Sequence, residues 1–198
     1  MDKSISFTKD LATKIRNGLF LAPSRTYGEK YIEPLIRKRY GLLRADNNSY
    51  DAKDKSGKRY EIKACKVLSS LGDIKNAPLI DQIIFENDNL PTNRLVPFNE
   101  ADKTDYDANV QNVKRDHFDY LIYVLLFADC IKVFKVEKEK VNATYIPGWS
   151  DKHGRYDALG KSGQFNINKD RIKHHVDNFV IDTITYDEAA SIYQELSK

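Results

Sequence analysis

Hydrophobic and polar positions alternate with two different periods along the chain, and each period predicts a different kind of element. Residues 6–20 and 24–41 repeat apolar side chains at helical spacing, with Gly41 as the stop signal of the second stretch. Pro34 lies inside that second stretch, where its ring kinks or splits a helix unless it falls in the first turn of a new one. The N-terminal region is therefore predicted to be helical, with a break near Pro34.

A continuous apolar run follows in the middle of the chain. Residues 118–127, FDYLIYVLLF, are rich in aromatic and β-branched side chains, which is typical of a central strand buried on both faces. After a turn at Ala128 and Asp129, residues 130–137 predict a second strand, with lysines between its apolar positions. These two stretches predict the centre of a β-sheet.

The C-terminal third returns to polar and then helical patterns. Residues 149–164 carry glycines and charges that indicate a long loop, and helices are expected near 168–178 and in 185–196. Thr185 and Glu188 have the spacing of a capping box for the last helix. The whole pattern predicts an α/β (α+β) fold, with a mixed central β-sheet flanked by helices.

The length and composition favour one domain. A chain of 198 residues that is 41% hydrophobic is large enough to bury its own core. We expect a single domain over 1–198, with a helical region over about 1–44, a core over about 45–140, and the polar loop and C-terminal helices over about 141–198.

Charge and cysteine content narrow the class of protein only a little. The formal net charge of +3 is too small to indicate nucleic-acid binding by itself. No apolar run reaches the roughly 18 residues of a spanning helix, and the start lacks the apolar core of a secretory signal. We therefore expect a soluble, cytoplasmic protein without a membrane partner. Cys65 and Cys130 are expected to be reduced core residues.

Residues 50–67, YDAKDKSGKRYEIKACKV, have the pattern of a β-hairpin. A three-residue loop centred on residue 56 places Gly57 where the turn needs positive φ, and it sets Asp51 opposite Glu61. Side chains alternate along a strand, so Lys63 joins those two carboxylates on one face. The predicted register therefore gathers Asp51, Glu61 and Lys63 at one site.

Such a site suits a hard divalent cation. Two carboxylates at cross-strand distance repel each other unless a cation lies between them. Mg²⁺ prefers oxygen ligands, and Asp51, Glu61 and the backbone carbonyl of Ile62 could supply them, with water and a phosphate oxygen completing the shell. Lys63 would flank the metal-bound water, where its ammonium can lower the pKa of that water, orient it or neutralise a phosphate. Near a metal ion and in partial burial, the pKa of Lys63 itself could fall far enough for it to accept a proton.

Asp51 with Glu61-Ile62-Lys63 resembles the signature of the PD-(D/E)xK nuclease superfamily, and the hairpin is similar to that of type II restriction endonucleases. The resemblance is specific in the hairpin and extends weakly over about residues 45–180. Tyr50 stands where the motif has its proline. No run of base-reading histidines like that of some members of the family is recognisable, so the target sequence does not carry over.

This resemblance implies a restriction-endonuclease-like core and Mg²⁺-dependent cleavage of double-stranded DNA, with Mn²⁺ as a substitute. It implies 5′-phosphate and 3′-hydroxyl ends, a homodimer that cuts both strands of a palindrome, and a cognate DNA methyltransferase as functional partner. Asp51 and Glu61 would be catalytic metal ligands, with the Ile62 carbonyl, and Lys63 would be the catalytic lysine. Glu29 is a candidate for the further acid that related nucleases place on a preceding helix.

Two polar stretches are candidates for contacts with DNA. Residues 107–119 are interpreted as a helix with Val110 and Val113 turned inward, which would expose amides and cations that can bond base edges. The polar loop offers a second set of donors. The candidate DNA-binding residues in the two stretches are Asn109, Asn112, Lys114, Arg115, His153, Arg155, Lys161 and Gln164.

Other interpretations of the same residues stay open. The charges of the hairpin could be solvated on an exposed surface, with Lys63 paired to one acid. The chain could also be a structure-specific repair or junction-resolving nuclease of the same fold, or a non-catalytic DNA-binding module. The sequence contains no glycine-rich phosphate-binding loop and no GxSxG turn, which argues against nucleotide-dependent and serine-hydrolase chemistry.

Overall fold

The computed structural model describes residues 3–71, 77–152 and 162–198, with side chains from Asp10 onward. It contains a six-stranded sheet, with β3 parallel to β5 and the other neighbours antiparallel. The order of its strands is β1 (Leu43–Arg44), β2 (Ala52–Lys53), β3 (Arg59–Lys66), β5 (Tyr120–Leu126), β6 (Cys130–Glu137) and β8 (Val180–Thr185). A mixed sheet with flanking helices is thus confirmed.

The helices lie mostly at the two ends of the chain. They are α1 (Lys3–Leu21), α2 (Ser24–Thr26), α3 (Glu33–Tyr40), α4 (Leu79–Asp88), α5 (Ile172–Phe179) and α6 (Tyr186–Leu196). A π-helical segment, Tyr27–Ile32, joins α2 to α3. Pro34 lies in the first turn of α3, where its missing N–H is tolerated, and Gly41 ends that helix with a φ of 63°. The predicted break near Pro34 is therefore confirmed.

β5 is buried on both faces, as its apolar sequence predicts. Leu121 and Tyr123 belong to a core shared with α5 and a smaller second sheet. Ile122 and Val124 belong to a second core, which α1, α3 and α6 cover. Alternation along one strand therefore supplies both cores at once.

The second sheet corrects two predictions. It pairs β4 (Ala108–Val113) with β7 (Gly163–Ile167), so the stretch predicted as a helix is a strand and the predicted polar loop ends in another. The register shifts between Val110 and Val113, which marks a β-bulge. An extra residue there places these two buried valines three positions apart, and that spacing imitates a helix.

Several elements near the C-terminus were predicted only in part. The capping box of α6 is confirmed: Thr185 Oγ1 accepts from the Glu188 N–H, and the Glu188 carboxylate accepts from the Thr185 N–H. β8 and α4 were not predicted. Within the described part of the chain, no helix has the length and apolar character needed to cross a bilayer.

Candidate active site

The hairpin has the predicted register. Ala52 lies opposite Tyr60 and Lys53 opposite Arg59, and the same register continued by one residue sets Asp51 opposite Glu61. Gly57 has a φ of 86°, as the turn requires. The Asp54 carboxylate accepts from backbone N–H groups inside the loop at 2.8 and 3.0 Å, which fixes the turn further.

The three signature side chains meet at this hairpin. Lys63 Nζ forms an ion pair with Glu61 Oε1, and Asp51 Oδ2 accepts a hydrogen bond from the Ile62 N–H at 2.7 Å. Glu61 is only 7% exposed, and Lys63 is mostly buried as well. Lys63 therefore pairs with one acid, as expected if the charges of the hairpin were solvated on an exposed surface. The burial of both side chains does not fit a merely solvated hairpin.

A wide cleft opens beside these residues. Along β3, β2 pairs with Arg59 and Tyr60 alone. The rest of that edge of β3 has no strand neighbour in the described structure. A cavity of about 1310 Å³ lies along this edge. Its wall includes the π-helical segment, the start of α3, the hairpin, and Asn112 and Lys114 from the end of β4.

Burial and mutual repulsion govern the two carboxyls of the hairpin. Burial raises the pKa of Glu61, Lys63 opposes that rise, and the Asp51 charge adds to it. Burial also raises the pKa of Asp51, against the effects of Lys63 and the Ile62 N–H. Both acids would therefore gain from additional positive charge.

The pKa of Lys63 corrects one expectation. Burial by itself lowers this pKa, but the carboxylates of Glu61 and Asp51 outweigh burial and hold it above its usual value. Lys63 is thus a charged ammonium in this structure, not a proton acceptor. Its charge suits the orientation of water and the neutralisation of a phosphate.

Glu33, at the start of α3, also lines the cleft and was not among the predicted site residues. Burial, followed by the Asp51 charge, raises the pKa of Glu33 to about 7. Glu29 also lines the cleft, but it is exposed and its carboxylate pairs with Arg25 at 3.0 Å. The i, i+4 spacing of Glu29 and Glu33, which places both on one helical face, was the signal that could have included Glu33.

The candidate DNA-binding residues separate into different places. Asn112 and Lys114 line the cleft, whereas Asn109 lines a neighbouring cavity of about 380 Å³ and donates to Asp107. Arg115 is engaged elsewhere, since it pairs with Asp151 at 2.9 Å and its guanidinium lies over the ring of Trp149.

Of the candidates in the polar loop, the structure describes only Gln164, which is not among the residues that line the cleft. Gln164 lies in β7, where its backbone pairs with Ser150. His153, Arg155 and Lys161 lie outside the described residues. Among the candidates that the structure describes, Asn112 and Lys114 are thus the ones that line the same cleft as the hairpin site.

The donors of the hairpin fit a magnesium ion. Every second residue of β3 directs its backbone N–H and carbonyl to the same edge of the strand. The Tyr60 and Ala64 carbonyls accept hydrogen bonds at the edge on the side of Asp51, so the Ile62 carbonyl lies at that edge too. Among the described residues, no group of three His, Cys, Asp or Glu side chains converges as a metal cage. Two carboxylates and a carbonyl suit Mg²⁺, which keeps several waters and takes further oxygens from a phosphate substrate.

Comparison with known proteins adds no assignment. No protein-family model matches the chain, and a search of curated proteins found no match. The chemistry of the cleft therefore carries the functional argument by itself.

Proposed function

We propose that the protein is a Mg²⁺-dependent endodeoxyribonuclease of the type II restriction class, which cleaves double-stranded DNA at a specific sequence. The observation that carries this proposal is the group of Asp51, Glu61 and Lys63 at the wall of an open cleft, with Glu61 buried and the other two partly buried. Burying three ionisable groups together is unfavourable unless their environment or function requires it. The mixed sheet beside the hairpin is compatible with a restriction-endonuclease-like core.

Asp51, Glu61 and the Ile62 carbonyl would hold the metal ion. When bound, Mg²⁺ would polarise the scissile phosphate and stabilise the charge that develops on it. The Ile62 N–H fixes the orientation of the Asp51 carboxylate, and the hairpin register places that carboxylate beside Glu61. The site is therefore organised by the backbone before any substrate enters.

The protein's own side chains would manage the water and its proton. Lys63 would orient the water that attacks phosphorus, since its ammonium faces the cleft. Glu33 lines the same cleft and has a pKa of about 7, which suits it to accept the proton that the water releases. The bond from phosphorus to the 3′ oxygen breaks as the bond to water forms. That oxygen takes up a proton from solvent water in the open cleft, which gives 5′-phosphate and 3′-hydroxyl ends.

The test incubates purified protein with plasmid DNA and Mg²⁺ or Mn²⁺. Discrete fragments are expected, and EDTA should abolish them. Lys63→Ala should reduce cleavage about 10³-fold while DNA binding persists, since positioned groups of this kind contribute about 10²–10⁴-fold. Lys55→Ala in the exposed hairpin loop is the matched control and should cut like wild type. Intact plasmid with every metal would contradict the proposal.

The same assay separates the related functions. A structure-specific nuclease would cut branched DNA and leave no fixed fragment pattern. A non-catalytic binding module would bind DNA equally well in EDTA and after loss of Asp51. For the restriction class we also expect a homodimer in solution, and protection of plasmid that a cognate methyltransferase has modified.

A further inference from the structure

The β-bulge in β4 changes which residues of that strand face outward. Asn109 and Gln111 are exposed in simple alternation, and then Asn112 and Lys114 are exposed while Val113 between them is fully buried. The pairing with β7 shifts register at this point. A bulge inserts one unpaired residue and re-aims the side chains that follow it. As a result, Asn109 and Gln111 line the smaller cavity, whereas Asn112 and Lys114 line the main cleft.

The backbone at the bulge is unusual. Asn112 has a φ of 55°, and it is the one non-glycine residue with positive φ in the described part of the chain. Asn tolerates this region better than most residues, but such conformations persist only where the surrounding structure holds them. The buried side chains of Val110 and Val113 anchor the strand on either side of the bulge. The conformation of Asn112 is therefore fixed by the core and directed at the cleft.

The two side chains offer uncommitted donors beside the hairpin. Asn112 and Lys114 line the same cleft as Asp51, Glu61 and Lys63. Lys63 is tied to Glu61, whereas within the described residues Lys114 has no carboxylate at salt-bridge distance. Lys114 is exposed and can move toward a ligand. The cleft thus holds a free ammonium and an amide next to its carboxylates.

We infer that Asn112 and Lys114 anchor a backbone phosphate of a nucleic acid in the cleft, and that they do not read bases. An ammonium on a flexible stem binds phosphate as a point charge, and an Asn amide donates to phosphate oxygens. Because they line the same cleft as Asp51, Glu61 and Lys63, the phosphate that they hold would belong to the strand that is cleaved. The inference rests on the proposed function, and it gives these two residues the role of positioning the substrate strand.

The test measures binding of a short DNA duplex by fluorescence anisotropy over a range of KCl concentrations, in EDTA and in Ca²⁺. Lys114→Met should weaken binding and lower the slope of log affinity against log salt by about 0.9, the value for one lost phosphate contact. The affinity loss should be similar for duplexes of different sequence. Lys173→Met on α5, an exposed lysine that is not among the residues lining the cleft, should keep the wild-type slope.

Two variants of Asn112 test the backbone. Asn112→Gly preserves positive φ and should keep the salt slope, with weaker binding from the lost amide. Asn112→Val cannot adopt this φ without strain, so the bulge should rearrange, displace Lys114 and lower the slope as Lys114→Met does. Thermal unfolding of each variant shows that the comparison is between folded proteins.

The outcomes separate this inference from the proposed function. Wild-type binding with an unchanged slope in Lys114→Met overturns the phosphate anchor alone. A lowered slope without any cleavage by the wild type supports the anchor and overturns the nuclease. No binding by the wild type in either EDTA or Ca²⁺ overturns both. A sequence-dependent loss of affinity in Lys114→Met would show base reading and also overturn the anchor.

Discussion

Two buried polar groups lie on the same face of the main sheet, on neighbouring strands. Lys63 of β3 is paired in register with Tyr123 of β5. Lys63 joins Glu61 and Asp51 at the cleft. The hydroxyl of Tyr123 instead lies 2.7 Å from Nδ1 of His175, in a fully buried setting.

The two groups differ in charge and in access. Aromatic rings surround His175, its Nε2 has no partner in the described structure, and burial lowers its pKa to about 3, so the ring is neutral. In the hairpin group, the Lys63 ammonium opposes the rise that burial causes in the pKa of Asp51 and of Glu61, and all three side chains line a cleft. Burial therefore perturbs both groups, but only the one with an open edge and opposed charges is arranged for chemistry. A perturbed pKa alone would not have separated them.

The largest expected effect is on activity at the hairpin. Asp51→Asn should reduce DNA cleavage about 10³-fold, because the amide removes a charge that the metal ion requires. The free energy of unfolding should rise slightly at neutral pH, since the amide oxygen still accepts from the Ile62 N–H and a buried charge is gone. Plasmid cleavage and urea unfolding measure the two effects. Asp177→Asn, on exposed α5, should change neither. A variant that cuts normally would show that the hairpin is only structural.

The core group should show the reverse behaviour. His175→Ala should lower the free energy of unfolding by about 3 kcal/mol, because it leaves a cavity among aromatic rings and a Tyr123 hydroxyl without its partner. Cleavage per folded molecule should be unchanged. His174→Ala, next to it in sequence but only partly buried, should cost much less. A large loss of activity in folded His175→Ala would break the distinction between the two groups.

The pH dependence of the free energy of unfolding should have opposite signs for Glu33 and for His175. Glu33 has a raised pKa of about 7, so the stability it contributes is present below about pH 4.3, its unfolded value, and is lost as pH rises through 7. His175 has a lowered pKa, so its contribution is present above about pH 6.5 and is lost as pH falls toward 3.

Urea unfolding from pH 4 to pH 8.5 measures these contributions. Glu33→Gln should be more stable than wild type at pH 8, by about 1 kcal/mol after solvent screening, and the difference should vanish near pH 4. His175→Phe should instead flatten the loss of stability on the acid side. Equal pH profiles for wild type and Glu33→Gln would mean that Glu33 titrates normally.

The smallest expected effect concerns the turn that sets the register. Gly57→Ala has room for its Cβ but must hold a φ of 86°, which costs about 1 kcal/mol. The loss in cleavage rate, converted to a free energy, should exceed the loss in the free energy of unfolding, because the hairpin register positions Asp51. Gly18→Ala, inside α1 with open space around it, should gain about 0.5–1 kcal/mol and leave cleavage unchanged. If Gly57→Ala lowers the cleavage rate by no more than its loss of stability accounts for, the turn does not position the site.

Much of the fold and the centre of the site were predictable because they depend on local rules. Gly57 fixes the turn, alternation puts Glu61 and Lys63 on one face, and the apolar run of β5 requires burial on both sides. The last helix was predictable for the same reason, since the capping box at Thr185 acts within four residues. Each of these features is specified by neighbours in the chain.

Other features depend on contacts between distant segments, so pattern alone misled. The bulge in β4 gave Val110 and Val113 a helix-like spacing, and β7 completes that sheet from residues at least 50 positions away. The pKa of Glu33 is raised mainly by burial and then by the charge of Asp51, and both effects depend on the folded structure. The buried contact of His175 with the Tyr123 hydroxyl was not predicted, because the sequence cannot show which distant side chains meet.

The sequence by itself determined the hairpin register, the central strand and the charges at the site, because turn geometry and side-chain alternation are local. Only the tertiary structure decided that those charges are buried, that Lys63 stays protonated, and that Asn112 and Lys114 reach the same cleft. Desolvation and charge coupling act through space between segments far apart in the chain, so no local pattern encodes them.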